Sequence, residues 1–287
     1  MNLSQNSKPI LEAKDIGFAY DKREIITGVN LKLYKNELVS LLGVSGSGKS
    51  TLFNIIAGLL KPDTGKIVYE GEDITGKSGI ISYSFQKDLL LPYLKIEENV
   101  ALPLLIKREK KSTAIEKAKE MLKEFKLDAY ANKYPRELSG GMRQRIALLR
   151  TYLFSKDVSL LDEPFSALDA ITKDEMHEWY MNMRRRYNTS TIFITHDVDE
   201  AILLSDRIYI LGNTPSTIKA ELKIEVNNRN NDFKLSESFL KYKKEVLRNL
   251  ELLEKNIFFM SYSPLPIIGL DSSPVRAYAI EGLADFS

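Results

Sequence analysis

The stretch Gly43-Val44-Ser45-Gly46-Ser47-Gly48-Lys49-Ser50-Thr51 combines the residue types needed to hold a polyphosphate. Main-chain N–H groups wrap an anion only where side chains leave room, and Gly46 and Gly48 clear that room. An apolar run, Leu38-Val39-Ser40-Leu41-Leu42, comes before it and the helix-like Leu52-Phe53-Asn54-Ile55-Ile56-Ala57 comes after. Strand, glycine-rich turn and helix in that order aim the unpaired N–H groups and positive dipole end of the helix at the anion. Lys49 would then reach the β- and γ-phosphates of a nucleoside triphosphate, and Ser50 would hold Mg²⁺. The competing reading is a plain strand-to-helix turn with one exposed lysine.

Other residues suited to chemistry lie at strand ends. Val158-Ser159-Leu160-Leu161 reads as a buried strand that ends in Asp162-Glu163-Pro164. Two adjacent carboxylates are costly in a core, so they should face a ligand in the crevice beyond the strand ends of an α/β sheet. Gln86 follows the strand Ile80–Phe85, and His196 follows Thr191–Ile194; taken singly, each is as well explained by a solvated glutamine or a structural histidine. Tyr20 closes a first strand and is either an edge aromatic or a ring offered to a flat ligand. Ser139-Gly140-Gly141 opens a helix running through Ile146, Leu149 and Leu153, which an ordinary N-cap would also explain.

The elements that position these residues are legible in outline. Ile10–Tyr20 and Ile25–Leu33 read as strands of an antiparallel region, and Lys66–Tyr69 resumes strand character after the Gly58–Gly65 turn. From Val100 to about Tyr134 the pattern is helical, with Lys107-Arg108-Glu109-Lys110-Lys111 a solvated charged face. Ile208–Leu211 is the last clear strand. Asn227–Asp232 is a polar loop, Leu235–Ile257 an amphipathic helix using Phe239, Val246, Leu250 and Leu253, and Phe258–Ser287 a loop-like tail broken by Pro264, Pro266 and Pro274.

Composition narrows the function further. With 41 Lys+Arg against 39 Asp+Glu the net charge is +2, which lacks the basic excess of a general nucleic-acid binder. No cysteine and two histidines leave no thiolate or imidazole metal centre, so a metal should be Mg²⁺ brought with the nucleotide. No apolar run nears the roughly 20 residues that span a bilayer, and Met1–Lys8 lacks the apolar core of a signal peptide. Work at a membrane would require docking onto a partner that spans it.

In order and spacing these features resemble the ATP-binding subunit of ABC transporters over nearly the whole chain. Leu138-Ser139-Gly140-Gly141-Met142-Arg143-Gln144 resembles the family's signature, Ser159-Leu160-Leu161-Asp162-Glu163-Pro164 its Walker B strand and Ser166-Ala167-Leu168-Asp169 its D-loop. Gln86 is similar to the Q-loop glutamine, His196 to the switch histidine and Tyr20 to the aromatic that stacks on adenine. The stretches Leu89–Tyr93, Asp162–Asp169 and Thr195–Ala201 look most like importers of nitrate, sulfonate, taurine or thiamine-precursor pyrimidines. Ser159 departs from an otherwise apolar strand, and Arg150-Thr151-Tyr152 replaces the usual small-residue run.

The resemblance implies an α/β fold: a P-loop NTPase core with an antiparallel β subdomain and a helical signature subdomain at about 87–155, within an ATPase domain of 1–254 and a tail of 255–287. ATP and Mg²⁺ are the implied cofactors. Adenine would lie on Tyr20 and the phosphates on Gly43–Thr51, with Ser50, Gln86 and Asp162 serving the metal directly or through water. Glu163 would be the general base, assisted by His196. Ser139, Gly140, Gly141 and Asp169 would close over ATP held by a second subunit in a head-to-tail homodimer. A transmembrane permease would dock near Leu89–Tyr93 on the cytoplasmic face of the membrane, fed by an extracytoplasmic solute-binding protein, with no nucleic acid involved. Export-type relatives and soluble ABC ATPases of DNA repair or translation share the motifs; the short insertion between Gln86 and Ser139 and the balanced charge weigh against the soluble class.

Overall fold

The computed structural model describes residues 8–155, 157–226 and 233–261, with side chains to residue 250. The chain divides into two compact units, Met1–Leu253 and Glu254–Ser287, and the described part of the second is the end of the last helix. The expected loop at Asn227–Asp232 and the tail beyond 261 lie outside the described residues.

Strands β1 (Leu11–Tyr20) and β2 (Arg23–Leu33) form an antiparallel hairpin around Asp21, whose φ of 55° suits a short polar side chain. Next come β3 (Leu38–Gly43), α1 (Lys49–Ile56), β4 (Thr64–Tyr69) and the short β5 (Glu72–Asp73). A four-stranded antiparallel sheet results, in the order β2-β1-β4-β5. Its inward residues, among them Leu11, Ile16, Val29, Leu31 and Ile67, are buried in one core with Phe53, Ile55 and Ile56 of α1. The antiparallel sheet therefore backs α1, the helix that follows the glycine-rich turn.

The second sheet takes β6 (Ser82–Ser84), β7 (Val158–Asp162), β8 (Ser190–Ile194), β9 (Arg207–Leu211) and β10 (Ile218–Lys223), in the order β10-β9-β3-β8-β7-β6. All pairings are parallel except β10 with β9. Every residue of β8 and β9 is buried, as expected of strands covered on both faces. Parallel strands deliver their C-terminal ends to one edge, and Gly43, Asp162 and Ile194 all end there. Their N-terminal ends meet in a polar latch: Arg207 Nη2 donates to Glu37 Oε2 at 2.7 Å, Arg184 pairs with Asp206 at 3.2 Å, and Asp206 Oδ2 accepts from Leu38 N–H at 2.8 Å.

Between β6 and β7 the chain forms α2 (Ile96–Ile106), α3 (Lys111–Glu124) and α4 (Gly140–Phe154). They bury Val100, Leu104, Leu122, Ile146 and Leu149 in a separate core shared with α5 (Ala170–Tyr187). Glu98 accepts from Lys95 N–H at 3.1 Å, which starts α2 four residues before the apolar period becomes visible at Val100. Of the charged run 107–111, residues 107–110 form the turn between α2 and α3, where Arg108 has φ 64°, and Lys111 opens α3.

The remaining helices, α6 (Val198–Leu204) and α7 (Glu237–Ser261), cover β9 and β10 with Ile202, Phe239 and Val246. Three differences from the sequence reading have plain causes. The expected strand Ile80–Phe85 is only Ser82–Ser84, because it is an edge strand that pairs with β7 at three positions. The antiparallel β10 escapes notice because Lys219, Glu221 and Lys223 leave only Leu222 fully buried. Helix α7 passes Phe258, the expected start of a tail, since propagation needs no amphipathic period and Pro264 lies further on.

Candidate functional site

The loop Gly43–Gly48 joins β3 to α1 at the C-terminal edge of the parallel sheet. Gly48 is the N-cap of α1 at φ 82° and Gly46 has φ 76°, backbone conformations that a side chain would strain. Lys49 Nζ folds back along the loop and donates to the carbonyls of Gly43 (2.8 Å) and Val44 (2.9 Å). Burial lowers the Lys49 pKa, against the attraction of Glu163 and Asp162, which raises it. Ser45, Gly46 and Ser50 are exposed, Gly43 and Thr51 are half-buried, and the Ser47 side chain is buried beneath the loop while its N–H donates to Val44 O. Thr214 Oγ1 donates to Gly46 O at 3.0 Å and Ser216 Oγ to Ser47 O at 2.6 Å, a brace from the segment before β10.

At the end of β7, Asp162 is held with its pKa raised, chiefly by burial and further by Glu163. Hydrogen bonds from Tyr83 and Ser50 and the charge of Lys49 act the other way. Asp162 and Ser50 thus present oxygen donors side by side, the set a small hard divalent cation prefers. Glu163 has φ 46°, a strained turn for a glutamate, and its N–H donates to Ile194 O at 3.0 Å. Its carboxylate takes the Gln86 Nε2 donor at 2.9 Å and lies 3.5 Å from His196 Nδ1. Gln86, Glu163 and His196, from three strand ends, therefore converge on one carboxylate beside the phosphate loop.

His196 is exposed, and the residues around it are fixed. Asp197 caps α6 by accepting from Asp199 and Glu200 N–H, and Lys173 of α5 reaches Asp197 at 3.2 Å. The Asp197 pKa is lowered: burial opposes that shift, and the backbone donors and Lys173 outweigh it.

Ser139, Gly140 and Asp169 are exposed and form a different group. Ser139 is the N-cap of α4, accepting from Met142 N–H at 3.3 Å, and Asp169 caps α5 through Thr172 N–H at 3.1 Å. The two helix starts touch: a Cβ on Gly141 would come within 2.9 Å of Thr172 Cγ2. Among the described residues, no hydrogen bond or ion pair joins Ser139, Gly141 or Asp169 to the phosphate loop of the same chain. Tyr20 is half exposed, edge-on to Phe18 at 4.8 Å.

The segment after Gln86 borders a groove of about 400 Å³ lined by Leu59, Tyr83, Phe85, Leu89, Ile106 and Phe154, among others. Of the apolar stretch Leu89–Tyr93, Leu89 lines this groove, Leu90 is buried in the helical core and Tyr93 stands exposed. Arg150, an unexpected residue in the sequence, donates to the carbonyls of Asp88 (2.6 Å) and Leu89 (2.8 Å), while Arg143 Nε reaches Asp88 Oδ2 at 3.0 Å. Helix α4 is thereby fastened to the chain just past Gln86. The sequence reading passed over Tyr83, Lys173, Thr214 and Ser216, whose partners are remote in sequence and which carry no spacing signal.

Comparison with known proteins agrees with this geometry. The family model for ABC transporters matches residues 26–166. The chain is 44% identical over 209 residues to the formylaminopyrimidine import ATP-binding protein ThiZ of Halalkalibacterium halodurans, covering 72% of this chain and 82% of that protein. It is 42% identical over 228 residues to the aliphatic sulfonates import ATP-binding protein SsuB of Bacillus cereus, covering 79% and 89%. Among solved structures, the dimeric post-hydrolysis state of the ATP-binding cassette MJ0796 bound to ADP and Pi superposes with a TM-score of 0.64 at 29% identity, covering 75% of this chain and 99% of that one. No helix among the described residues is long and apolar enough to cross a membrane. With relatives above 40% identity across most of both chains, and a glycine-rich strand-to-helix loop and a carboxylate pair at one edge of the parallel sheet, the protein belongs to the ABC transporter family as an ATP-binding subunit.

Proposed function

We propose that this subunit drives import of a small solute of the nitrate, sulfonate, taurine or pyrimidine class, with Glu163 as the general base of ATP hydrolysis. The observation that carries the catalytic part is the convergence of Gln86 and His196 on the Glu163 carboxylate, at 2.9 and 3.5 Å. A carboxylate so held accepts a proton from, and orients, the attacking water, an effect worth about 10²–10⁴ in rate. Lys49 and the N–H groups of Gly46 and Gly48 take up the phosphate charge, Ser45, Ser47 and Thr51 complete the cradle, and His196 steadies charge on the γ-phosphate. Tyr20 offers its exposed ring to adenine. Asp162 and Ser50, with Gln86, would hold Mg²⁺, which supplies Lewis-acid neutralisation of the phosphate oxygens.

Ser139, Gly140, Gly141 and Asp169 serve the ATP of a second copy in a head-to-tail homodimer. The exposure of Ser139, Gly140 and Asp169, and the contact between the two helix starts, support that reading. A transmembrane permease supplies the membrane attachment, on its cytoplasmic face, and one of its short cytoplasmic helices sits in the groove beside Leu89. The exposed apolar rim of Leu59, Phe85, Leu89 and Ile106 supports that occupant. The transporter assembled in vesicles with ATP inside should accumulate a labelled sulfonate, nitrate or aminopyrimidine, and should lose that uptake with Glu163→Gln. ATP-driven efflux in place of uptake would overturn the import reading.

A further inference from the structure

Tyr83 has two neighbourhoods at once. Its hydroxyl donates to Asp162 Oδ2 at 3.2 Å. Its ring stacks on Phe85 with centroids 4.3 Å apart and planes at 28°, and meets Phe53 of α1 edge-on at 5.8 Å. Phe53 lies on the helix that begins with Lys49 and Ser50, whereas Phe85 is 43% exposed and, with Tyr83 itself, lines the groove beside Leu89. One rigid ring thus touches the groove, the phosphate-loop helix and the carboxylate proposed for the metal. Burial and the Asp162 charge push the tyrosine pKa up, so the hydroxyl remains a donor throughout the neutral range.

Outer partners that hydrogen-bond a ligating carboxylate fix its orientation, and removing one typically weakens metal binding about 10- to 100-fold. An aromatic ring with its hydroxyl anchored cannot shift in the groove without shifting that oxygen. We infer that Tyr83 is a positioning residue for the Asp162 carboxylate, and that its ring transmits the packing of the groove to that carboxylate. The second half rests on the permease-docking reading given above.

Tyr83→Phe keeps the ring and removes only the hydroxyl. Mn²⁺ binding to the ADP-loaded subunit, followed by electron paramagnetic resonance, should weaken about tenfold while ADP affinity in EDTA is kept. Unchanged Mn²⁺ affinity, or a loss matched in EDTA, would overturn the assignment. In the assembled transporter, permease should alter the Mn²⁺ affinity of the wild type and leave that of Tyr83→Phe unmoved. If permease leaves the wild type unmoved, the groove half is rejected. Ile106→Asp, on the groove wall, should abolish assembly with permease and keep Mn²⁺ affinity; assembly that persists rejects the docking reading and leaves the Tyr83–Asp162 result standing.

Discussion

Glu163 and Lys49 are the two side chains whose loss should separate chemistry from binding. Glu163→Gln keeps the shape that accepts the Gln86 donor and loses basicity, so nucleotide affinity should stay within about twofold while turnover falls by about 10²–10⁴. Steady-state ATPase assays beside a fluorescent-nucleotide titration read both quantities. Lys49→Ala should weaken ATP binding as well as turnover, because a charge-assisted contact is worth roughly 1.5–3 kcal/mol, or about ten- to a hundredfold in affinity. The loss should fall toward the lower figure, since the ammonium must first give up the Gly43 and Val44 carbonyls. A titration with unaltered ATP affinity would contradict the role of Lys49. At this scale the strand, glycine turn and helix from Leu38 to Ile56 were legible because residue type is tied to a fixed spacing there. The sequence was silent for Tyr83 and Lys173, whose partners Asp162 and Asp197 lie 79 and 24 residues away.

Strands and helices were legible in proportion to how far burial fixed their pattern. β8 and β9, buried throughout, and β3, buried as far as Leu42, stand out as apolar runs; β10, with one buried side chain, does not. Ser159 reads as a flaw in β7 because periodicity sees one strand at a time. Across the parallel pair its hydroxyl accepts from Ser82 Oγ at 2.9 Å, and Ser82 Oγ also lies 2.8 Å from the Val158 carbonyl. The serine is thus half of a buried polar clasp between β6 and β7, the strands that present Gln86 and Glu163. Ser82→Ala leaves the Ser159 hydroxyl buried without this donor and should cost about 1–3 kcal/mol in urea unfolding. Ser82→Thr, which retains a hydroxyl, should recover part of that loss.

For the whole molecule, the shared-site arrangement makes the sharpest demand. Ser139→Arg mixed with Lys49→Ala should recover ATPase activity that each variant lacks alone, because one composite site in the mixed dimer keeps both functions. Flat activity at every mixing ratio, with ATP-dependent dimers shown by sedimentation to exchange, would reject that arrangement. In the sequence Ser139–Gly141 and Asp169 resemble two motifs of one family; that Gly141 is pressed against Thr172, bringing the starts of α4 and α5 together, required coordinates. The parallel sheet also separates two kinds of residue by edge, with Asp162, Glu163 and His196 beyond one end of the strands and the Glu37–Arg207 latch at the other. Removing one partner of a buried ion pair costs about 3–5 kcal/mol, enough to empty much of a domain's folded population. Alleles such as Arg207→Ala should therefore be temperature-sensitive for abundance, with normal specific activity in the molecules that survive. Second-site suppressors anywhere in the chain should rescue them, as immunoblots normalised to ATPase activity would show, whereas an allele at Glu163 should yield to no suppressor that acts by raising protein levels.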